Sequence, residues 1–387
     1  MNEALDAAPE PPARTAGHTP ARVGDVLAGA AGACGLRCEG LDTQAAAERI
    51  GAPQASKACV VLVDGLGWHN LMARAELAPF LSTAEPAQAQ SAFPSTTATN
   101  LAYLGTGQRA GVTGMLGYTV RGPSGGLLNL VSWNGAVSPH SWQRHPTVFE
   151  RLEASGSVAI SIGPWRFADS GLTQAALRGA EYSPAQSLSQ RVDTALSHLR
   201  DPEVDLVYLY WGQVDSAGHE HGWRSPQWAE ELTHLDAELQ RLDRLLPAGT
   251  LLVITADHGM VDVPPGARID VAEHQQMLQD VDLIGGEPRA VHVYTRPGRA
   301  EGVLSRWQEH LGDRARVLSR RQLIDSGLLG PVSHRHEQAI GDVMVIAEGE
   351  HAVVDSRQQR RHASPMIGMH GALSAQECTV PLICRMG

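Results

Sequence analysis

The sequence predicts an α/β protein, with a mostly parallel, doubly wound sheet flanked by helices and a small α+β insertion. Three observations carry that prediction. Continuous apolar runs rich in β-branched residues alternate with helical segments along the chain, the pattern of strands buried on both faces of a helix-covered sheet. Several of those runs end in, or lead into, acidic and histidine residues. Between residues 266 and 340 the pattern gives way to short strand-like pieces mixed with polar helices.

Residues 1–24, rich in alanine, proline and polar side chains, read as a flexible tail. Ala58-Cys-Val-Val-Leu-Val-Asp64 is the first buried strand; Asp64-Gly-Leu-Gly67 stops it, and a helix is expected over 70–81. Ser157-Val-Ala-Ile-Ser-Ile-Gly163 is a second strand, and a helix over 188–199 leads to a third at Val204-Asp-Leu-Val-Tyr-Leu-Tyr-Trp211. Ser225-Pro226 then supplies an N-cap with proline at the first helical position. Trp228, Leu232, Leu235, Leu239, Leu242 and Leu246 recur at steps of three and four, giving one apolar face. Pro247 and Gly249 end that helix before a fourth strand, Thr250-Leu-Leu-Val-Ile-Thr-Ala-Asp257. Inside the insertion, a strand over 289–294 and a helix over 300–311 are expected, and Gly341-Asp-Val-Met-Val-Ile-Ala347 returns to the buried-strand pattern. The core is thus assigned to 25–265 and 341–387, and the cap-like insertion to 266–340.

Composition narrows the partners. A chain of 387 residues with 43% hydrophobic content can bury a large core. Its net charge of -11 argues against a nucleic-acid duplex or an anionic membrane surface as partner. The five cysteines are odd in number and lack C-x-x-C spacing, so no disulfide framework is expected and a reducing compartment fits better. Cys34 and Cys38 have no second Cys or His pair nearby to complete a zinc site. The N-terminus shows neither a basic nor an apolar signal region, and no run of about 18 apolar residues occurs, so a soluble cytoplasmic protein is expected.

The chemistry is concentrated where strands end. Asp64 closes the first strand, Asp215 and His219 follow the third, and Asp257-His258-Gly259 follows the fourth. Open α/β sheets bind ligands beyond the carboxyl ends of their strands, so these side chains should converge. Met366-Ile-Gly-Met-His-Gly371 adds His370 in a glycine-rich loop. Carboxylates and imidazoles without thiolates suit zinc or manganese, and the four-residue spacing of Asp215 and His219 lets both face one ion. Ser91 to Gly107 is dense in hydroxyls and reads as a loop entering a helix, with Thr96 or Thr97 at its N-terminus. A phosphate held there would lie beside a nucleophilic oxygen.

Five motifs in order carry a resemblance: Val63-Asp-Gly-Leu-Gly67, Phe93-Pro-Ser-Thr-Thr-Ala-Thr-Asn100, Asp215-Ser-Ala-Gly-His219, Ala256-Asp-His-Gly-Met260 and Gly368-Met-His-Gly371. Together they resemble the alkaline phosphatase superfamily, within it the type I phosphodiesterase and nucleotide pyrophosphatase branch. The resemblance implies an alkaline-phosphatase-like fold and two divalent ions, zinc first and manganese second. It implies one ion on Asp64, Asp257, His258 and the nucleophile oxygen, and the other on Asp215, His219 and His370. It points to Thr97 of Thr97-Ala-Thr-Asn100 as nucleophile, with Thr96 as competitor because Phe93-Pro94 lies upstream of its usual place. Asn100, one turn on, is expected to donate its amide to a phosphoryl oxygen.

The implied reaction is hydrolysis of a phosphodiester or phosphoanhydride bond through a phospho-threonine, on a small phosphate ester, nucleotides included. Phosphomonoesterase, phosphonate hydrolase and phosphomutase share the metal core and stay open. A non-catalytic metal-binding module is the alternative of a different class. Arg109 and Arg166 are candidate grips for extra phosphate oxygens, Tyr118, Trp165, Trp211 and Trp223 candidate stacking surfaces, and His221 and His362 supernumerary histidines.

Overall fold

The computed structural model describes residues 20–82, 87–133, 137–358 and 366–387. Helix α1 (Val23–Ala33) precedes β1 (Lys57–Val63) and β2 (Ala87–Gln90). Then come α2 (Thr97–Thr106), β3 (Ala159–Gly163), α3 (Gly171–Ala176), β4 (Glu181–Pro184) and α4 (Leu188–Arg200). β5 (Leu206–Trp211) leads into α5 (Gln213–His221) and α6 (Pro226–Leu245), followed by β6 (Thr250–Thr255). β7 (Val281–Glu287), β8 (Ala290–Thr295), α7 (Ala300–Leu311), β9 (Ala315–Ser319) and β10 (Val343–Ala347) come next. α8 (Ala375–Cys378) and β11 (Thr379–Met386) complete these elements.

The central sheet has seven strands in the order β2-β11-β6-β1-β5-β3-β4. β6, β1, β5, β3 and β4 run parallel, and β11 is antiparallel to both β6 and β2. This is the mostly parallel α/β sheet that the apolar runs predict. β1 is central and wholly apolar after Lys57, and its Val63 is level with Trp211 while Leu62 is level with Thr255. The chain therefore leaves β1, β5 and β6 along one edge, which places Asp64, α5 and Asp257 together. α6 is capped by the Ser225 hydroxyl, which accepts the Trp228 N–H, and buries Trp228, Leu232, Leu235, Leu239 and Leu242.

A second, antiparallel sheet has the order β7-β8-β10-β9. Val303, Trp307 and Leu311 of α7 bury against its Val293, Val317 and Val343 in a separate apolar cluster.

Three expectations need correction. The helix expected over 70–81 is broken into Trp68–Met72, a 3-10 turn at Ala75–Leu77 and Pro79–Ser82. Pro79 lacks the donor a continuous helix needs and holds Ala78 outside helical geometry, at φ -133. The last piece is instead capped from α6, where Asp236 accepts the Phe80 and Leu81 N–H groups. The strand at 343–347 pairs with β8 and β9, so it extends the second sheet beyond 340 and does not rejoin the central one. Its apolar sequence is the same in either location, because both sheets bury it fully. Of the expected tail, residues 1–19 lie outside the described residues, while Arg22 bridges to Gln90 and Val23 and Gly24 open α1.

Candidate active site

Close backbone contact brings the strand-end loops together. Gly65, at φ +73, lies so near Asp215 that an added Cβ would fall 2.8 Å from the aspartate Cβ. The Gly65 N–H donates to Asp257 Oδ1 at 3.2 Å, and the Tyr210 hydroxyl donates to Asp64 Oδ2 at 2.6 Å. Three carboxylates thus meet in one buried region. Burial, then the charges of Asp257 and Asp215, push the Asp64 carboxyl well above its ordinary range; burial likewise raises Asp257. Such crowding is costly without cations.

The three histidines are oriented alike. Nδ1 faces a backbone carbonyl in each: Gly368 O for His219 at 2.7 Å, Gly259 O for His258 at 3.1 Å and Ser95 O for His370 at 2.9 Å. That arrangement fixes the proton on Nδ1 and turns Nε2 toward the carboxylates. His219 Nε2 is 3.2 Å from Asp215 Oδ2 and 3.3 Å from His370 Nε2; His258 Nε2 is 3.4 Å from Asp64 Oδ1 and 3.5 Å from Asp257 Oδ2. His258 and His370 stack at 3.7 Å. Burial acts to lower His219, but the Asp215 carboxylate raises it to about 9, while burial and His258 drive His370 well below its ordinary value.

Two overlapping groups have the compactness of ion sites: Asp215, His219 and His370, and Asp64, Asp215 and His258. The first is one of the two expected ligand sets. The second brings Asp215 to the other set, so its carboxylate lies between the two groups. Asp215 Oδ1 and Asp257 Oδ2 are buried without a hydrogen-bond partner. Orphaned carboxylate oxygens facing imidazole Nε2 atoms are the donors a divalent cation needs, so these residues fit a metal centre.

Thr97 is the first residue of α2, and its Oγ1 lies 3.4 Å from Asp64 Oδ1 and 3.2 Å from His258 Nε2. Thr96 occupies the N-cap position, is buried, and makes no capping side-chain bond. Ser95 joins this loop to the His370 loop: its hydroxyl donates to Ala372 O at 2.7 Å and accepts the Gly371 N–H at 3.1 Å.

Asn100 is a correction. Its side chain is buried and turned toward the Ser91–Thr96 loop, where Oδ1 accepts the Ala92 N–H at 2.6 Å. Nδ2 donates to the carbonyls of Ala92, Pro94 and Thr96 at 3.2 to 3.3 Å. The amide expected on a phosphoryl oxygen is used in shaping the loop that presents Thr97.

A cleft of about 1070 Å³ opens at the cluster, bounded by Asp64, Thr97, Asp215, His219 and His370 and extending to Tyr118, Trp133, Arg166 and Phe167. Arg166 stacks on Phe167 at 4.7 Å. Arg109 is elsewhere, donating to Leu328 O. Trp211 and Trp223 are buried, and Trp165 is 70% exposed outside the cleft wall, which leaves Tyr118 as the stacking candidate lining the cleft. His221 faces Glu220 at 3.7 Å, and His362 lies outside the described residues.

Two residues at the site have no sequence signal. Tyr210 looks like any strand aromatic until its register with β1 is known. Glu287, at the end of β7, reaches Gly117 and Gly371 from the second sheet. Burial pushes its carboxyl up to about 8, against the pull of the Thr96 hydroxyl and the Tyr118 N–H.

The family described as type I phosphodiesterase / nucleotide pyrophosphatase matches residues 58–373. The chain belongs to this family. Curated relatives match over short stretches: human ectonucleotide pyrophosphatase/phosphodiesterase family member 7 is 35% identical over 89 residues, 22% of this chain and 19% of that protein. Phosphopentomutase from Sinorhizobium fredii is 32% identical over 117 residues, 30% of this chain and 27% of that protein. The chain thus spans well under a third of either relative. Family membership agrees with the fold: murine ectonucleotide pyrophosphatase/phosphodiesterase 5 superposes with a TM-score of 0.68 at 17% identity, covering 84% of this chain and 87% of that one. Phosphonoacetate hydrolase from Sinorhizobium meliloti, in complex with phosphonoformate, gives 0.68 at 20% identity, covering 86% and 91%. An inactive variant of the murine protein is in complex with AMP.

Proposed function

We propose that this family member is a metal-dependent hydrolase of small phosphodiesters or phosphoanhydrides, nucleotide pyrophosphates included, with Thr97 as nucleophile. The observation that carries the reading is the position of Thr97 Oγ1, at a helix N-terminus and within 3.4 Å of both Asp64 and His258. Asp64, Asp257 and His258, with Thr97, would hold one ion, and Asp215, His219 and His370 the other, zinc being the first candidate and manganese the second. Two divalent cations bound there would supply the Lewis acidity that activates a threonine hydroxyl at neutral pH and stabilises a leaving oxygen.

The chain's own residues do the rest. The N-terminus of α2 directs its dipole at an anion beside Thr97. The Thr97 hydroxyl gives its proton to solvent; as the Oγ1–P bond forms, the bond from phosphorus to the leaving oxygen breaks and that oxygen takes a proton from solvent, giving a phospho-threonine, after which water cleaves the Oγ1–P bond and a proton returns to Oγ1. Tyr210 and the backbone at Gly65 hold Asp64 and Asp257 in place. A diester is favoured over a monoester because Arg166 is the one arginine or lysine lining the cleft among the described residues, and it already stacks on Phe167. A dianionic terminal phosphate usually engages more cationic groups.

Rates on bis-p-nitrophenyl phosphate and p-nitrophenyl phosphate, for the wild type, Thr97→Ala and Thr96→Ala, test this. The diester is expected to be the better substrate, and Thr97→Ala to lose on the order of 10³-fold or more in kcat with metal retained. Near-normal turnover by Thr97→Ala together with inactivity of Thr96→Ala would move the nucleophile by one residue.

A further inference from the structure

The loop that presents Thr97 holds a threonine whose side chain leaves its expected place. Thr96 is the N-cap of α2, in extended backbone at φ -142 and ψ 154. A threonine oxygen there ordinarily accepts an N–H of the first helical turn, but that of Thr96 makes no such bond. Thr96 is 2% exposed and lines the cleft beside Thr97. Its hydroxyl instead faces the carboxyl of Glu287, as does the Tyr118 N–H.

Glu287 is presented by a firmly held strand end. The Thr119 hydroxyl accepts the Gly286 N–H at 3.0 Å and donates to Gly286 O at 3.1 Å. The side chain then enters between two backbones at positive φ, Gly117 at +137 and Gly371 at +129. A Cβ at Gly117 would fall 3.1 Å from Glu287 Oε1, and one at Gly371 only 2.7 Å from its Cγ. Glu287 is 8% exposed, and neither carboxyl oxygen completes a hydrogen bond. Among the described residues no arginine or lysine pairs with it, Arg289 being taken by Glu377. A buried carboxyl with no cation stays neutral, and burial pushes its pKa up to about 8. A neutral carboxyl has one O–H to give and one oxygen to receive with. The Thr96 oxygen and the Tyr118 N–H match those two needs. With its oxygen engaged by Glu287, the Thr96 hydroxyl has its own hydrogen left for the cleft. A phosphoryl group on Thr97 needs donors at its non-bridging oxygens, and the Asn100 amide is committed to the backbone.

We propose that the Thr96 hydroxyl donates to a non-bridging oxygen of the phosphoryl group transferred to Thr97, and that Glu287 is the positioning residue that orients it. The proposal rests on the phosphodiesterase reading, but phosphate binding tests it separately. The full-length, zinc-loaded protein is assayed on bis-p-nitrophenyl phosphate and titrated with inorganic phosphate in a calorimeter. Thr96→Val and Glu287→Leu should each lower kcat and weaken phosphate binding about 10- to 100-fold, the value of a hydrogen bond to a charged group. The double variant should lose no more than either single one, because both substitutions act on one bond. Thr96→Ser and Glu287→Gln, which keep a hydroxyl and a donor, should recover most of the loss. Losses that multiply in the double variant, Thr96→Ser no better than Thr96→Val, or wild-type rates in Glu287→Leu would overturn the proposal. The two Thr96 variants keep it falsifiable if Glu287→Leu does not fold. If phosphate binding follows this pattern and the wild type does not turn over the diester, the proposal stands and the phosphodiesterase reading falls.

Discussion

The amide of Asn100 meets backbone groups of Ala92, Pro94 and Thr96, so it fixes the segment that delivers Thr97. Asn100→Ala leaves the Ala92 N–H and carbonyl without the partner that Asn100 gives them, while the Pro94 and Thr96 carbonyls keep backbone donors, and should cost about 2 to 4 kcal/mol in chemical denaturation, with kcat falling because Thr97 is displaced. Glu287 gives a pH prediction. Its folded value of about 8 lies above its ordinary 4.5, so the folded protein keeps a proton that the unfolded chain has lost between those values. Stability should therefore fall as pH rises through that window and level off above it. Glu287→Gln cannot ionise and should flatten this slope in melting curves taken across the window; an unchanged slope would remove Glu287 as its source. The acids and histidines of the cluster were legible in the sequence because each follows a strong strand signal or sits between glycines. The roles of Asn100 and Glu287 were not, since each depends on where a side chain turns after distant segments have met.

At the scale of elements, signals written in local sequence carried through and those dependent on partners did not. The cap and apolar face of α6 follow from Ser225-Pro226 and the leucine spacing; Ser225→Ala should cost about 1 kcal/mol. The strand at 343–347 is apolar on both faces, so its sequence could not say which sheet would receive it. The breaks at 68–82 depend on Pro79 and on Asp236, a residue more than a hundred positions away. The connection between sheets also lay beyond sequence reading. Arg289, just before β8, forms a bidentate pair with Glu377 of α8 at 2.8 Å, both fully buried. Glu377 also accepts the Ala372 N–H, and its backbone carbonyl accepts the Gly259 N–H, so the pair braces the loops that carry His370 and His258. Glu377→Ala strands a buried guanidinium and should destabilise by about 3 to 5 kcal/mol, measured by denaturant titration; a loss below about 1 kcal/mol would mean that the brace is not needed.

At the scale of the whole molecule, a net charge of -11 and a proposed phosphate substrate are compatible only if the acidic cluster is neutralised where the substrate binds. The sheet topology creates that local excess of charge, because β1, β5 and β6 release their chain at one edge. Among the described residues no helix is long and apolar enough to cross a membrane, and all five cysteines are free. The central claim is that Asp64, Asp215, His219, Asp257, His258 and His370 exist to hold cations beside Thr97. Metal content and turnover of bis-p-nitrophenyl phosphate, measured on one preparation before and after chelation, test it most directly. The account predicts two divalent ions per chain, loss of turnover when they are removed and recovery when zinc is returned. Undiminished turnover by protein shown to be free of metal would contradict it.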